Sequence, residues 1–368
     1  MSVSMNALVL HGPGDFRHER VGKPEASAGS VVVRVIAAPI WDYVGNEHDR
    51  LTNPQSEVLD GSLPFPHAYP LIFGTCCVGR IDEVGPDVAA LQPGQLVFCD
   101  HIVYLRDAPE KRIVLGYHGG HSKEELKFSS SHYKDGCFAE YARFPTENVH
   151  VVNEQRIAQR GVTPAQLGEI SSVMSAVGAA NSIHVRPGET VLVMPGTGFF
   201  SSSAIVAALG LGANVVVTSR SKDTLDALIE HFGEDGKRIT PLVLTGDVTA
   251  DAEALRAATP DDKGADAYID FSSPEMAWGT HLEAGLRALK RFGNVPLPYL
   301  TIRANSISLI GSFAQNRQDV EFTIRLIEAG NLKLRKDVAG AFGLQEIDKA
   351  LRFAKEAPGW GKMVVITP

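Results

Sequence analysis

The stretch Gly196-Thr197-Gly198-Phe199-Phe200-Ser201 has the spacing G-x-G-x-x-S, between a strand-like run at Thr190–Met194 and a helix-like run at Ser201–Leu209. In that setting the first glycine permits a tight turn and the second lets the backbone approach a pyrophosphate. A small third residue, here Ser201, lets helix and strand pack closely. The start of such a helix offers free N–H groups and a positive dipole end to phosphates. The chemistry implied is dinucleotide binding; the competing reading is a plain glycine turn, which the flanking strand–helix–strand pattern disfavours. About twenty residues further on, NAD enzymes usually carry an acid that binds the ribose hydroxyls. This chain has Thr218-Ser219-Arg220-Ser221-Lys222 there. No carboxylate repels a 2′-phosphate, Arg220 and Lys222 attract it, and Ser219 and Ser221 can donate hydrogen bonds to it. NADPH is the expected cofactor, against the alternative of a solvated turn with two surface cations.

The elements that must hold this loop follow in order. Strand-like Asn214–Thr218, helix-like Lys222–His231, and strand-like Pro241–Leu244, Ala267–Phe271 and Gly293–Val295 alternate as a doubly wound parallel sheet requires. Before them, Ala7–Leu10, Val31–Ala37, Val78–Val84 and Gln95–Cys99 are short apolar runs bounded by Gly and Pro, the mark of a β-rich region. After them come helix-like Asp319–Ala329 and Gln345–Glu356 and a closing strand at Met363–Ile366. The segment from His101 to Lys134 is polar and irregular, and is expected to be a long excursion loop with a role of its own. His101, His118, His121 and His132 in it are expected to be solvated or to contact substrate, with a metal site as the lesser alternative.

A chain of 368 residues fits two domains. Its net charge of −8 disfavours nucleic acid and anionic lipid as partners, and a small-molecule substrate is expected instead. No run of apolar residues is long enough to span a membrane, and Met1–Asn6 has no secretory pattern. Cys76, Cys77, Cys99 and Cys137 form no C-x-x-C pair, which fits reduced thiols and a cytoplasmic location.

Read in order, further motifs resemble the medium-chain dehydrogenase/reductase superfamily, whose members are alcohol dehydrogenase-like or quinone oxidoreductase-like. They are Val33-Arg34-Val35-Ile36-Ala37-Ala38, Pro70-Leu71-Ile72-Phe73-Gly74, Glu83-Val84-Gly85-Pro86-Asp87-Val88, Gly136-Cys137-Phe138-Ala139-Glu140-Tyr141, Pro187-Gly188-Glu189-Thr190, Gly311-Ser312-Phe313 and Gly361-Lys362-Met363-Val364. The resemblance implies an α/β protein with two domains. A GroES-like β-rich catalytic domain would take residues 1–165 and 311–368, and a Rossmann domain residues 166–310. It also implies a homodimer, paired through strand-like Ser306–Ile310 within Leu300–Phe313.

The zinc-dependent branch of this superfamily carries a Cys, a His-Glu pair and a later Cys or Asp as ligands. Those positions fall on Trp41, Thr75 and Cys76, and near Ser175, which are expected to line the substrate pocket. The structural-zinc lobe corresponds to the segment from His101 to Lys134, which has no cysteine. The chain therefore resembles a zinc-free member. Zinc-free relatives commonly reduce quinones, enones and enoyl thioesters, so an NADPH-dependent reductase acting on an activated C=C is expected. The alternatives are a carbonyl or alcohol oxidoreductase and a non-catalytic NADPH-binding sensor or structural protein. Tyr43 falls where zinc enzymes carry a proton-relay Ser or Thr. A phenol there can donate to an oxyanion, with Asp42 and His48 as further candidates for the acid; the alternative is that Trp41 and Tyr43 only wall an apolar pocket.

Overall fold

Most strand-like runs of the sequence fold as strands, several of them longer than their apolar centres. The computed structural model describes residues 3–12, 15–40, 69–272, 279–294, 310, 315–356 and 359–368. The chain divides into two compact units, one of Met1–Ser171 with Asp337–Ala357 and Met363–Pro368, the other of Ser172–Lys336 with Pro358–Lys362. No described helix is long and apolar enough to cross a membrane.

The first unit is β-rich. Its largest sheet runs in the order Val149–Val151, Leu96–Cys99, Cys77–Val84, Ser30–Ile40, Lys362–Ile366, Asp337–Phe342, with Tyr141–Pro145 also pairing with Ser30–Ile40. The central strand Ser30–Ile40 is buried at nearly every position, as a strand covered on both faces must be. A second sheet places Ser4–Leu10 between Phe16–Gly22 and Leu71–Ile72.

The segment from His101 to Lys134 is not the loop that its polarity suggests. Ile102–Leu105 and Ala108–Val114 pair as an antiparallel hairpin, and Lys123–Phe128 is a helix. A carboxylate ties the two together. Glu125 accepts the N–H of Arg112 from the hairpin (2.9 Å) and the N–H groups of His121 and Ser122 from the turn (2.7 Å each). Ser122 Oγ accepts the Glu125 N–H in return, completing a capping box. Gly120 has φ +86°, and a Cβ there would meet the Glu125 side chain at 2.5 Å. His118 is buried and accepts the Gly120 N–H at Nδ1, while His121 and His132 are exposed.

Burial alone would raise the Glu125 carboxyl, but the three backbone N–H donors outweigh it and hold it down at about 2. A depressed folded value means the stabilisation is fully present above the ordinary carboxyl range near 4.5 and is lost as pH falls through about 2. Glu125→Gln should therefore lower stability at neutral pH by about 1–3 kcal/mol, the cost of leaving buried donors badly matched. Urea unfolding midpoints across the acid range check this. The gap between wild type and variant should close as Glu125 protonates.

The second unit carries five parallel strands in the order Ile239–Val243, Asn214–Ser219, Thr190–Val193, Ala265–Ile269, Leu289–Asn294. This is the Rossmann order, and the strand order reverses between Thr190–Val193 and Ala265–Ile269. In such sheets ligands bind outside the carboxyl ends of the strands at that reversal. Pro241 sits in the edge strand, where a missing N–H costs no ladder bond. The helix Phe199–Gly210 is buried at ten of its positions, as expected of a helix apolar nearly all round.

The unit boundary differs from the sequence expectation of 165/166 and 310/311. The helix Arg317–Ala329 stays with the second unit because its start is tied to the helix Ile170–Ser182: Asn181 Nδ2 donates to Asp319 Oδ1 (2.9 Å) and Ser175 Oγ donates to Gln315 Oε1 (2.9 Å). A helical pattern in sequence does not say which sheet the helix covers. The proposed dimer strand Ser306–Ile310 and the motif Gly311-Ser312-Phe313 lie outside the described residues, apart from Ile310.

Candidate functional site

The strand Thr190–Val193 delivers Pro195–Gly198 to the carboxyl edge of the Rossmann sheet. Gly196 N–H donates to Thr218 O (2.8 Å), pinning the loop to the end of the neighbouring strand. A Cβ on Gly196 would lie 1.9 Å from Val217 Cγ2, so the close approach admits only glycine. Gly198 is the N-cap of the helix Phe199–Gly210, with no side chain capping that end. The first turn of this helix faces the loop, where helix N–H groups can receive a phosphate, and a Cβ at Gly198 would press on Ser201 Oγ at 3.3 Å. Ser201, Ser202 and Ser203 are buried on an otherwise apolar helix. Ser202 Oγ donates to Phe199 O (3.0 Å), and Ser203 Oγ meets Ser172 Oγ (2.8 Å) and Lys336 Nζ (2.9 Å). Phe199 is buried, with Lys336 Nζ 4.6 Å from its ring centroid, and Phe200 stacks on Phe271 with centroids 6.2 Å apart.

This loop forms one side of a cleft of about 550 Å³. Thr218, Ser219 and Arg220 form another, at the end of the strand Asn214–Ser219. Arg220 is exposed, and no carboxylate lines the cleft among the described residues. Thr218 is fully buried and its Oγ1 has no hydrogen-bond partner among the described residues. Such an atom is costly unless a ligand or water satisfies it. Ser221 and Lys222 are engaged elsewhere. Ser221 Oγ accepts the Thr224 N–H as a helix cap, and Lys222 pairs with Asp226 one turn on.

Two supports of the cleft carry no sequence signature. Leu244, Thr245 and Gly246 line it, and Asp251 holds that turn. Its carboxylate accepts the Thr245 N–H and hydroxyl (2.8 Å each) and the Gly246 N–H (2.9 Å). Thr280 and His281 also line it. His281 Nε2 lies 2.9 Å from Ser272 Oγ and 3.5 Å from Asp270 Oδ2. Burial would raise the Asp270 carboxyl, but His281, Ser272 and the Tyr268 hydroxyl hold it below the usual range. The aspartate is therefore an anion at neutral pH, and it braces the histidine.

In the first unit Thr75 and Cys76 are both buried. Cys76 Sγ lies 2.8 Å from His101 Nδ1, a partner 25 residues away that the sequence did not suggest. Burial pushes the Cys76 thiol well up and the His101 imidazole down to about 4. The pair is thus neutral thiol and neutral imidazole at pH 7, not an activated thiolate. Ser175 belongs to the second unit and is held by Gln315. Trp41, Asp42, Tyr43 and His48 lie outside the described residues.

Residues 27–154 match the alcohol dehydrogenase GroES-like domain. Over nearly its full length the chain is also similar to two acryloyl-coenzyme A reductases. The one from Sulfurisphaera tokodaii is 24% identical over 98% of this chain and 99% of the relative. The one from Metallosphaera sedula is 26% identical over 99% and 100%. These likenesses support the resemblance to the medium-chain dehydrogenase/reductase superfamily. The crystal structure of AibC shares the fold, with a TM-score of 0.76 at 19% identity, covering 100% of this chain and 97% of that one. At the positions where zinc-dependent members of the superfamily carry His and Glu, Thr75 offers only a hydroxyl and Cys76 is hydrogen-bonded to His101. Thr75 is a poor zinc ligand, and a catalytic zinc needs three good protein ligands. Among the described residues no group of three or more His, Cys, Asp or Glu side chains could hold a metal ion.

Proposed function

We propose that this protein is an NADPH-dependent, zinc-independent reductase that saturates an activated C=C bond of enoyl type. The observation that carries the cofactor assignment is the cleft itself, lined by Arg220 and Ser219 with no carboxylate among its described residues. The Thr218 Oγ1, unpartnered among the described residues, and the helix start at Gly198 without a side-chain cap fit a bound dinucleotide. Gly196, Gly198 and the first-turn N–H groups of the helix Phe199–Gly210 would hold the pyrophosphate, and Arg220 and Ser219 the phosphate on the adenosine ribose. The likeness to acryloyl-coenzyme A reductases supports an enoyl thioester as substrate class.

When bound, the nicotinamide supplies a hydride for the β-carbon of the unsaturated substrate. The charge that then develops on the thioester oxygen needs a hydrogen-bond donor in place of zinc. Tyr43 is assigned that role: its hydroxyl donates to the oxyanion, and a proton delivered to the α-carbon completes the saturated product.

The test is NADPH oxidation against enoyl thioesters, enones, quinones, aldehydes and ketones. The same protein is assayed for zinc and treated with a chelator. Turnover of the unsaturated substrates, with no stoichiometric zinc and no effect of the chelator, is the expected result. Reduction of aldehydes or ketones alone would make it a carbonyl reductase, and binding without turnover a sensor. One zinc per chain, with activity lost on its removal, would contradict zinc independence.

A further inference from the structure

The cleft holds a basic side chain that no sequence motif marks. His281 is the second residue of the helix Thr280–Arg287 and only 6% exposed, yet it lines the cleft together with Arg220. Arg220 follows the strand on one side of Thr190–Val193. His281 follows the strand on the other side, Ala265–Ile269. The two side chains thus enter one cleft from the two strands that flank the dinucleotide loop.

The imidazole is braced from behind. Its Nε2 meets Ser272 Oγ and Asp270 Oδ2, and Asp270 is itself fixed by the Tyr268 hydroxyl (2.8 Å) and the Ser272 N–H (2.6 Å). Nδ1 carries no hydrogen bond among the described residues. A carboxylate and a hydroxyl at one ring nitrogen fix the orientation of the imidazole, as the partners of ligating and catalytic histidines do. A histidine that served only to tie the Asp270 turn to the helix would need no place on the cleft wall. Here the wall has two basic groups, Arg220 and His281, and no acid among the described residues.

We infer that His281 is a specificity-determining residue for the dinucleotide, donating from its braced ring to the 2′-phosphate that Arg220 also binds. The inference rests on the NADPH assignment above. It goes beyond it because nothing in the G-x-G-x-x-S loop or the Thr218–Lys222 turn requires a second reader.

The test is direct binding of NADPH and NADH, followed by the fluorescence of the bound dinucleotide, to wild type and to His281→Gln, His281→Arg and Arg220→Ala. Glutamine can still donate to Ser272 and preserve the brace, and NADH binding reports that the cleft is folded. His281→Gln should weaken NADPH by about tenfold, the scale of one hydrogen bond to a charged group, with NADH unchanged. His281→Arg should restore NADPH affinity while leaving NADH alone. Equal loss of both dinucleotides in His281→Gln, or no loss of either, overturns the inference and leaves His281 as a brace for the Asp270 turn. Selective loss of NADPH in Arg220→Ala, set beside unchanged binding in His281→Gln, overturns the inference alone. Equal losses of both dinucleotides in Arg220→Ala remove the NADPH assignment, and the inference with it.

Discussion

Arg220→Ala should weaken NADPH binding by about 1.5–3 kcal/mol, roughly tenfold to a hundredfold or more, and leave NADH nearly untouched. The guanidinium stands exposed at the end of the strand Asn214–Ser219, on a cleft wall with no carboxylate among the described residues. A planar guanidinium can take a phosphate with two parallel hydrogen bonds, which an alanine cannot replace. Lys222 is two residues away but is paired with Asp226, and Ser221 Oγ is committed to its helix cap. Neither stands ready to compensate. The loss should be read in the dissociation constants of the two dinucleotides. Arg220→Lys should recover only part of it, because a point charge lacks the fork. Equal losses for NADPH and NADH would mean that Arg220 does not read the 2′-phosphate.

The second large effect concerns Tyr43. If its hydroxyl stabilises the oxyanion, Tyr43→Phe should lower kcat by about 10²–10³-fold, the usual worth of a general acid or an oxyanion donor. The ring remains to fill its space, so the loss reports the hydroxyl. NADPH affinity should hold, because the cofactor cleft is built from Pro195–Gly198, Thr218–Arg220, Leu244–Gly246 and Thr280–His281. A fall in kcat with little change in KM marks an interaction made mainly in the transition state. A rise in KM alone would make Tyr43 a binding residue. Unchanged kinetics would remove it from the mechanism and turn attention to Asp42, His48 or water.

What the sequence made legible was the part of the molecule whose chemistry is local. The G-x-G-x-x-S spacing works through a turn, a helix start and close packing, all within six residues. The structure brings Thr197, Gly198, Ser219 and Arg220 to one cleft. The alternating strands and helices around them specified the parallel sheet for the same reason: period and turn residues are written along the chain. The supports were not legible, because each joins segments that only the fold brings together. Asp251 clamps the Thr245–Gly246 turn, Asp270 braces His281, and His101 meets Cys76 across 25 residues. No spacing rule predicts such meetings. The polar stretch after His101 misled for a related reason. Its hairpin buries Ile102, Val103, Leu105, Ile113 and Val114, and one buried carboxylate, Glu125, collects backbone N–H groups from the hairpin and a turn. The helix Arg317–Ala329 was recognisable as a helix, but only its ties through Gln315 and Asp319 assign it to the second unit.

The central claim is hydride delivery to a carbon–carbon double bond without zinc. It is tested most directly by locating the label after one turnover. Chelator-treated protein is given an α,β-unsaturated acyl-coenzyme A thioester and NADPH deuterated at the reactive nicotinamide carbon, and the product is fragmented in a mass spectrometer. The account predicts a saturated thioester with one deuterium on its β-carbon and a solvent hydrogen on its α-carbon. Deuterium found only at a reduced carbonyl carbon, or product formed only after zinc is returned, would contradict it.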